Sequence, residues 1–369
     1  MVKEKLSNLY DIGSSKRVFQ SEWREEGVPF YRAREIARLS EDGHVDNELF
    51  IDEDLYEEYT GRYGKPQPGD VMVTGVGTLG VCYVVKPGDK FYFKDGNILW
   101  FKQKAPDRIL PEYLVKAFDS KEVKDFISKN SSGTTVGTFT IQTANKMEIS
   151  LPPLDQQKEI IERISKLEAI IKKRQLELEM LDELIKARFV ELFDNSEYLI
   201  EKLGTVCTKI TDGTHKTPNY IENGVTFISA KNIINGELDF SDVKYISEEE
   251  YQDIQKRCQT ERLDILLSKS GSLGSPTIVK TEKKLGLFES LAVLKYDRSR
   301  IIPEFLCEQL KTERIQRQFT TGTKGVAIKH LHLGVISDTE IIVPPFEEQK
   351  TFANFVQQVD KSKFRQFIA

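Results

Sequence analysis

The sequence predicts an α+β chain of two similar mixed α/β domains, joined and spaced by long helices that form an antiparallel coiled coil. Three observations carry this. Leu151-Pro152-Pro153-Leu154-Asp155-Gln156-Gln157-Lys158 recurs as Val343-Pro344-Pro345-Phe346-Glu347-Glu348-Gln349-Lys350, 192 residues on. Each copy opens a helix-patterned stretch. Ahead of each lies a region of short β-rich runs cut by Gly, Pro and Asp turns.

The duplication reaches far upstream. Trp23 to Ile36 reads against Tyr220 to Ile233, sharing an aromatic, a Glu, a Gly-Val pair, a Phe, an Ala, a basic residue and an Ile in order. Gly77-Thr78-Leu79-Gly80 matches Gly271-Ser272-Leu273-Gly274, and Pro111-Glu112-Tyr113-Leu114 matches Pro303-Glu304-Phe305-Leu306. The offset drifts from 197 through 194 to 192, as small loop deletions produce, and the period is too long for a solenoid. The expected divisions are a first domain over 1–150, a central helix over 151–196, a second domain over 197–342 and a shorter C-terminal helix over 343–369.

In the first domain, Val71-Met72-Val73-Thr74 and Val81-Cys82-Tyr83-Val84-Val85 read as strands, and Pro111 to Lys129 as one helix that Pro opens. Gly75-Val76-Gly77-Thr78-Leu79-Gly80 spells a dinucleotide fingerprint. That motif needs a helix after it, and a strand pattern follows, so a hairpin turn is expected instead. The second domain repeats the mixture. Asp212-Gly213 and Asp95-Gly96 read as turns, and His330-Leu331-His332 as exposed strand histidines without a third metal ligand.

The central stretch is the most regular. Ile160, Ile164, Leu167, Ile171, Arg174, Leu178, Leu181, Ile185, Arg188 and Leu192 alternate spacings of four and three with one skip, a coiled-coil seam. The Pro pair fixes its start, and Asp155 sits in the first turn, where the helix dipole favours acids. About 38 residues give a rod near 57 Å. Ile161, Ile170, Leu184, Phe189 and Phe193 lie off the seam, so a second face is expected to be buried. The C-terminal stretch carries Phe352, Phe355, Val356, Val359, Phe364 and Phe367. It stops about twenty residues short of its twin.

Bulk properties fit a cytoplasmic two-domain protein of 369 residues. No apolar stretch is long enough for a membrane helix, and Met1-Val2-Lys3-Glu4-Lys5 leads into no signal core. Cys82, Cys207, Cys258 and Cys307 are scattered, which speaks against disulfides or zinc and for a reducing compartment. A net charge of −5 weighs against whole-surface nucleic-acid binding but permits a local basic face.

Taken together, the duplicated Pro-Pro helix starts, the Gly-Val-Pro-Phe-Tyr-Arg and Gly-Val-Thr-Phe-Ile-Ser-Ala-Lys-Asn-Ile blocks, and Thr211-Asp212-Gly213-Thr214-His215-Lys216-Thr217-Pro218 resemble the DNA specificity subunit of type I restriction-modification systems. The resemblance covers nearly the whole chain. It implies two target recognition domains, each reading one half of a split sequence in double-stranded DNA. It further implies helices that set the spacing and dock two methyltransferase subunits, with restriction subunits joining through the methyltransferase core. S-adenosylmethionine and ATP with magnesium would then sit on those partners, with no cofactor bound by this chain. In that family the second helix usually matches the first in length. The early stop here implies weaker antiparallel pairing and weaker docking of one methyltransferase copy.

Phosphates need cationic or hydroxyl donors and base edges need Arg, Lys, Asn or Gln on a firm scaffold. The candidate DNA contacts of the first domain are Ser14, Ser15, Lys16 and Arg17 after a Gly turn, then Tyr31, Arg32 and Arg34, the arginines sharing one side of a strand, and Thr74. Those of the second are Thr214, His215 and Lys216, then Ser229, Lys231 and Asn232 at places equivalent to Arg32, Arg34 and Glu35, and Lys269. For any one of them an ordinary solvated surface role is the commoner fate. Clustering at equivalent positions of two repeats favours contact.

No catalytic residues are expected. Val343-Pro344-Pro345-Phe346 lacks the Asn or Asp of an amino-methyltransferase motif, and no P-loop occurs. Two rival classes are a self-contained methyltransferase or nuclease and a duplicated coiled-coil adaptor without DNA binding.

Overall fold

The computed structural model describes residues 2–131, 137–194, 197–321 and 330–368, with side chains to 363. The chain divides into two compact units, residues 1–172 and 173–369.

In the first unit, β1 (Val2–Lys5) pairs with β9 (Glu148–Leu151). The central sheet orders β2 (Tyr10–Gly13), β8 (Ile98–Gln103), β5 (Val71–Thr74) and β6 (Cys82–Val84), all antiparallel. A smaller sheet orders β4 (Phe50–Ile51), β3 (Val28–Tyr31) and β7 (Tyr92–Phe93), with β3 and β7 parallel. The central strands are apolar on consecutive positions because both of their faces are covered. Val71, Val73, Leu99 and Phe101 enter one core, while Met72, Ile98 and Trp100 enter another. The β5–β6 connection is the expected hairpin turn, with Gly77 and Gly80 at positive φ.

The second unit repeats this. β10 (Leu199–Lys202) pairs with β20 (Glu340–Val343). β11 (Cys207–Asp212), β19 (Leu291–Tyr296), β16 (Ile265–Ser268) and β17 (Pro276–Ile278) form the central sheet. β15 (Lys244–Ile246), β12 (Val225–Ile228) and β18 (Leu285–Leu287) form the smaller one, and β13 (Ile233–Ile234) and β14 (Glu237–Leu238) a hairpin. The alternation recurs: Ile265 and Leu267 face one core, Leu266 the other.

Three sequence expectations change. The single helix over Pro111 to Lys129 is two, Pro111–Phe118 and Lys121–Asn130. Asp119 closes the first and Ser120 caps the second, its Oγ accepting Val123 N at 3.3 Å. Asp212-Gly213 is no open turn, since Asp212 ends β11 and is buried. His332 stands immediately before the helix Leu333–Asp338 rather than in a strand, and its ring sits 5.6 Å from that of His330.

The long helix spans Leu154–Phe193 and the C-terminal helix Phe346–Ile368. Their first turns are docked by one residue each. Gln157 is fully buried; its Oε1 accepts Leu110 N at 2.9 Å, and its Nε2 donates to Arg108 O and Pro152 O, both at 2.8 Å. Gln349 repeats this with Ile302 N at 3.0 Å, Arg300 O at 2.9 Å and Pro344 O at 2.8 Å. Ile160 and Ile161 then pack on the first unit's core, and Lys116 pairs with Glu168.

Within the second unit the two helices pack antiparallel: Phe189 meets Phe352 at 5.5 Å between ring centroids, and Asp182 meets Lys363 at 2.6 Å. Leu181, Ile185, Phe189, Leu192 and Phe193 share that core with Phe352, Phe355, Val356, Val359 and Phe305. Phe189 and Phe193, expected off the seam, are central to it. Leu167 and Ile171, expected on it, are 59% and 57% exposed. A helix drifts relative to a strict heptad, so the buried face rotates along its length. Phe364 and Phe367 lie outside the described side chains.

Gln157→Ala removes the partner of three backbone groups in a buried setting. The expected loss is about 2–4 kcal/mol, at roughly 1 kcal/mol per bond plus the cost of unpaired groups. Urea unfolding of the full chain measures it, and Gln349→Ala should match it within about 1 kcal/mol. A loss of under about 0.5 kcal/mol at either position would show the docking to be dispensable.

Candidate nucleic-acid interface

The residues picked for DNA contact divide into those that face outward and those the fold uses itself. After β2, Ser14 Oγ donates to Ile98 O at 2.9 Å and Ser15 Oγ to Phe93 O at 2.5 Å, so both hydroxyls fasten the chain to the sheet. Lys16 and Arg17 remain exposed. Lys16 Nζ lies 5.9 Å from the Tyr63 ring centroid, and Arg17 Nε is 3.0 Å from Asp95 Oδ2. Tyr31, at the end of β3, stacks on Phe91 at 4.8 Å, and burial pushes its phenol up.

Arg32 and Arg34 begin a helix, Ala33–Asp42, instead of sharing a strand face. Glu35 draws them in: Arg32 N donates to its carboxylate at 2.9 Å, Arg32 Nη2 at 2.8 Å and Arg34 Nε at 3.0 Å. Arg34 also meets Glu48 at 2.6 Å. Burial alone would raise the Glu35 carboxyl, but the hydrogen bonds from both arginines outweigh it and hold the group low. The second repeat builds the same box with uncharged atoms. Ser229 N donates to Asn232 Oδ1 at 3.0 Å, while Asn232 Nδ2 donates to Asp239 O at 3.2 Å and Asp242 O at 3.0 Å. Asn232 is buried and fully occupied, which removes it from the exposed set. Lys231 stays half-exposed beside Asp242 at 2.9 Å.

Thr74 is a second correction. It is buried, donating to Thr78 O at 2.5 Å and accepting Val81 N at 2.9 Å, so its hydroxyl ties the hairpin turn. Ser268 does the same in the other repeat, bonding Ser272 O and accepting Ser275 N. Lys269 is the third. It is 3% exposed, and its Nζ pairs with Asp212, itself 2% exposed. Asp212 also receives Arg257 Nη2 and lies 3.4 Å from His215 Nε2. Burial pushes the Asp212 carboxyl up; hydrogen bonds and charge from Lys269 and Arg257 outweigh this and hold it below the usual carboxylate range.

His215 and Lys216 are exposed on the loop after β11. His215 Nδ1 lies 2.5 Å from Glu289, and Thr214 Oγ1 accepts Lys216 N at 3.1 Å, which shapes that loop. A cleft of about 660 Å³ opens beside Ser229, Lys231, Ser270, Ser272, Phe288 and Ser290. Sequence reasoning missed Glu48, Arg257 and Glu289, which lie 14 to 74 residues from the partners that give them meaning. Among the described residues no group of three His, Cys, Asp or Glu side chains is placed to hold a metal, and no helix is long and apolar enough to cross a membrane.

The family model described as "Type I restriction modification DNA specificity domain" matches residues 1–180 and again 195–366. The chain belongs to that family. The two matches repeat the duplication seen in the folds of the two units. Among curated relatives, the putative type I restriction enzyme specificity subunit S.HindORF215P of Haemophilus influenzae is 29% identical, over 45% of this chain and 40% of its own. The EcoBI specificity subunit of Escherichia coli is 26% identical over 63% and 56%. The MjaIX specificity subunit of Methanocaldococcus jannaschii is 24% identical over 68% and 62%. The chain thus spans between two fifths and about three fifths of the length of these relatives. The solved S subunit from M. genitalium shares the fold at TM-score 0.53 and 15% identity, over 99% of this chain and 90% of that one. A chain from a structure on complex assembly and conformational transition of the type I R-M system does so at 0.55 and 17%, over 99% and 92%.

Lys269→Met takes away the buried partner of Asp212 and leaves Arg257 as its remaining cation, so it is expected to destabilise the chain by up to about 3–5 kcal/mol, while Lys269→Met with Asp212→Asn recovers most of that. Because the Asp212 carboxyl is held low in the folded chain, its contribution is complete above its ordinary value of 3.8 and disappears as pH falls through the lower folded value. Urea unfolding from pH 6 down to about pH 3 checks both. An additive double mutant would show the pair to be uncoupled.

Proposed function

We propose that this chain is the DNA-reading subunit of a type I restriction-modification complex, with each domain reading one half of a split duplex target. The observation that carries this reading is a duplicated scaffold whose internal ties agree while its exposed side chains differ. The paired boxes at Glu35 and Asn232 and the paired turn hydroxyls of Thr74 and Ser268 are shared. At the surface positions, Arg32 and Arg34 of the first repeat correspond to Ser229 and Lys231 of the second. Two readers of unlike half-sites need that division of labour. The contact set that follows is Lys16, Arg17, Arg32 and Arg34 in the first domain and Thr214, His215, Lys216, Ser229 and Lys231 in the second.

The chain docks methyltransferase subunits and, through them, restriction subunits. Leu167, Ile170, Ile171, Leu176 and Met180 on the long helix are exposed apolar residues, which suits a protein-docking stretch. S-adenosylmethionine and ATP with magnesium belong to those partners, and this chain contributes recognition without chemistry.

Co-expression with the methyltransferase subunit in a methylation-free host, with modified adenines mapped by long-read sequencing, tests the reading. The expected outcome is one split motif with two short defined halves and a fixed gap. Arg34→Ala is expected to relax one half only; equal loss at both halves would contradict independent readers. Binding of the complex to duplex DNA should weaken steeply with salt, because phosphate contacts release counterions. Partner co-purification without any DNA binding would leave an adaptor.

A further inference from the structure

Arg257 was not singled out by its sequence context, yet it is among the most firmly aimed exposed cations of the second unit. It ends the helix Glu248–Arg257, with its side chain 55% exposed. Among the described residues, the hydrogen bonds of its guanidinium all leave from Nη2, to Asp212 Oδ1 and to His215 Nε2 at 3.2 Å. Its main-chain oxygen accepts Lys209 Nζ at 2.8 Å. A guanidinium carries five donors in a rigid fork, so the Nε and Nη1 positions remain open beyond the anchored corner.

The anchor is not an ordinary surface ion pair. Asp212 is already neutralised from beneath by Lys269, and both are buried. Each carboxylate oxygen thus has its own cation, the buried Lys269 on Oδ2 and the exposed Arg257 on Oδ1. The arrangement sets a second cation on one carboxylate, beside His215, whose Nδ1 lies 2.5 Å from Glu289.

Comparison of the repeats shows that the scaffold does not need this assembly. Gly75 N donates to Asn97 O and Gly75 O accepts Phe139 N, as Lys269 N donates to Ser290 O and Lys269 O accepts Leu331 N, so Gly75 stands where Lys269 does. A Cβ at Gly75 would lie 2.9 Å from the backbone oxygen of Phe139, closer than a side chain there can sit without moving the backbone. Ile12 pairs with Phe101 as Ile210 pairs with Leu294, which places Ser14 where Asp212 stands. The buried charge pair and the arginine it holds are thus additions particular to the second domain.

We propose that Arg257 is a specificity-determining DNA contact of the second domain that reads a guanine edge through its open fork, and that Asp212 and Lys269 are the positioning residues that aim it. This rests on the DNA-reading function proposed above. A bidentate arginine to guanine O6 and N7 is the pairing such a fork matches, and a carboxylate behind the guanidinium fixes its plane.

The test uses the full chain in complex with the methyltransferase subunit, competing duplexes in which each position of the second half-site is varied. Arg257→Ala is expected to erase discrimination at one guanine by roughly ten- to a hundred-fold, leaving the first half-site and the salt dependence unchanged. Arg257→Lys keeps a cation over Asp212 but removes the fork, and it should lose the same discrimination. Uniform weakening across all sequences, with a shallower salt dependence, would overturn the proposal in favour of a phosphate contact. Unchanged discrimination in both variants would reduce Arg257 to an ion pair. A wild-type complex without sequence-selective binding would overturn the underlying function as well, which separates the two failures.

Discussion

The structure depends on a glutamine side chain used twice. A helix that begins after two prolines leaves its first turn with unpaired backbone groups, and the domain loop it meets has unpaired groups of its own. Gln157 and Gln349 each pair the loop's groups and tie the loop to the chain entering the helix, accepting one amide from the loop and donating to one loop carbonyl and to the carbonyl of the first proline ahead of the helix. A primary amide is suited to this, since it offers donor and acceptor on one planar group. A glutamate would lack the donors, and a lysine the acceptor. The result is that each helix leaves its own domain at an angle set by three hydrogen bonds rather than by apolar contact alone. Apolar packing then continues outward from that point, on Ile160 and Ile161 in one unit and on Phe352 and Val356 in the other.

Much of this was legible beforehand. The repeat, the strands Val71–Thr74 and Cys82–Val84, the hairpin between them and the two helix starts follow from patterns of neighbouring residues, and those are what local physics controls. The helix seam was legible only in part. A heptad states which residues lie on one face but not which neighbour covers that face, and here the cover changes along the rod. The aromatic pair Phe189 and Phe193 takes the central place because Phe305 and Phe352 come to meet it from sequence distances that no heptad reports.

The candidate site was less legible for a related reason. A threonine, an asparagine and a lysine are equally good donors to a phosphate and to an internal acceptor. Thr74, Asn232 and Lys269 went to internal acceptors because turn carbonyls, loop carbonyls and a buried carboxylate lay within reach. Their partners in the last two cases are remote in sequence or set by loop geometry. Arg32 and Arg34 show the intermediate outcome, in which each keeps exposed surface while Glu35 and Glu48 fix its direction.

That intermediate outcome explains how a chain with net charge −5 is compatible with reading a polyanion. An arginine free in solvent attracts any phosphate and so strengthens binding to every sequence alike. One held by a carboxylate loses part of that long-range attraction, yet it keeps its remaining donors in a fixed plane, where little rotamer entropy remains to be lost on contact. Under the proposed reading, restraining the cations with Glu35, Glu48 and Asp212 lowers sequence-independent affinity more than it lowers the energy of a well-matched base contact. The ratio between the two is what selects a site among a genome of competitors. If the proposed contacts are made, the acidic residues beside Arg32, Arg34 and Arg257 belong to the recognition apparatus as much as the arginines do.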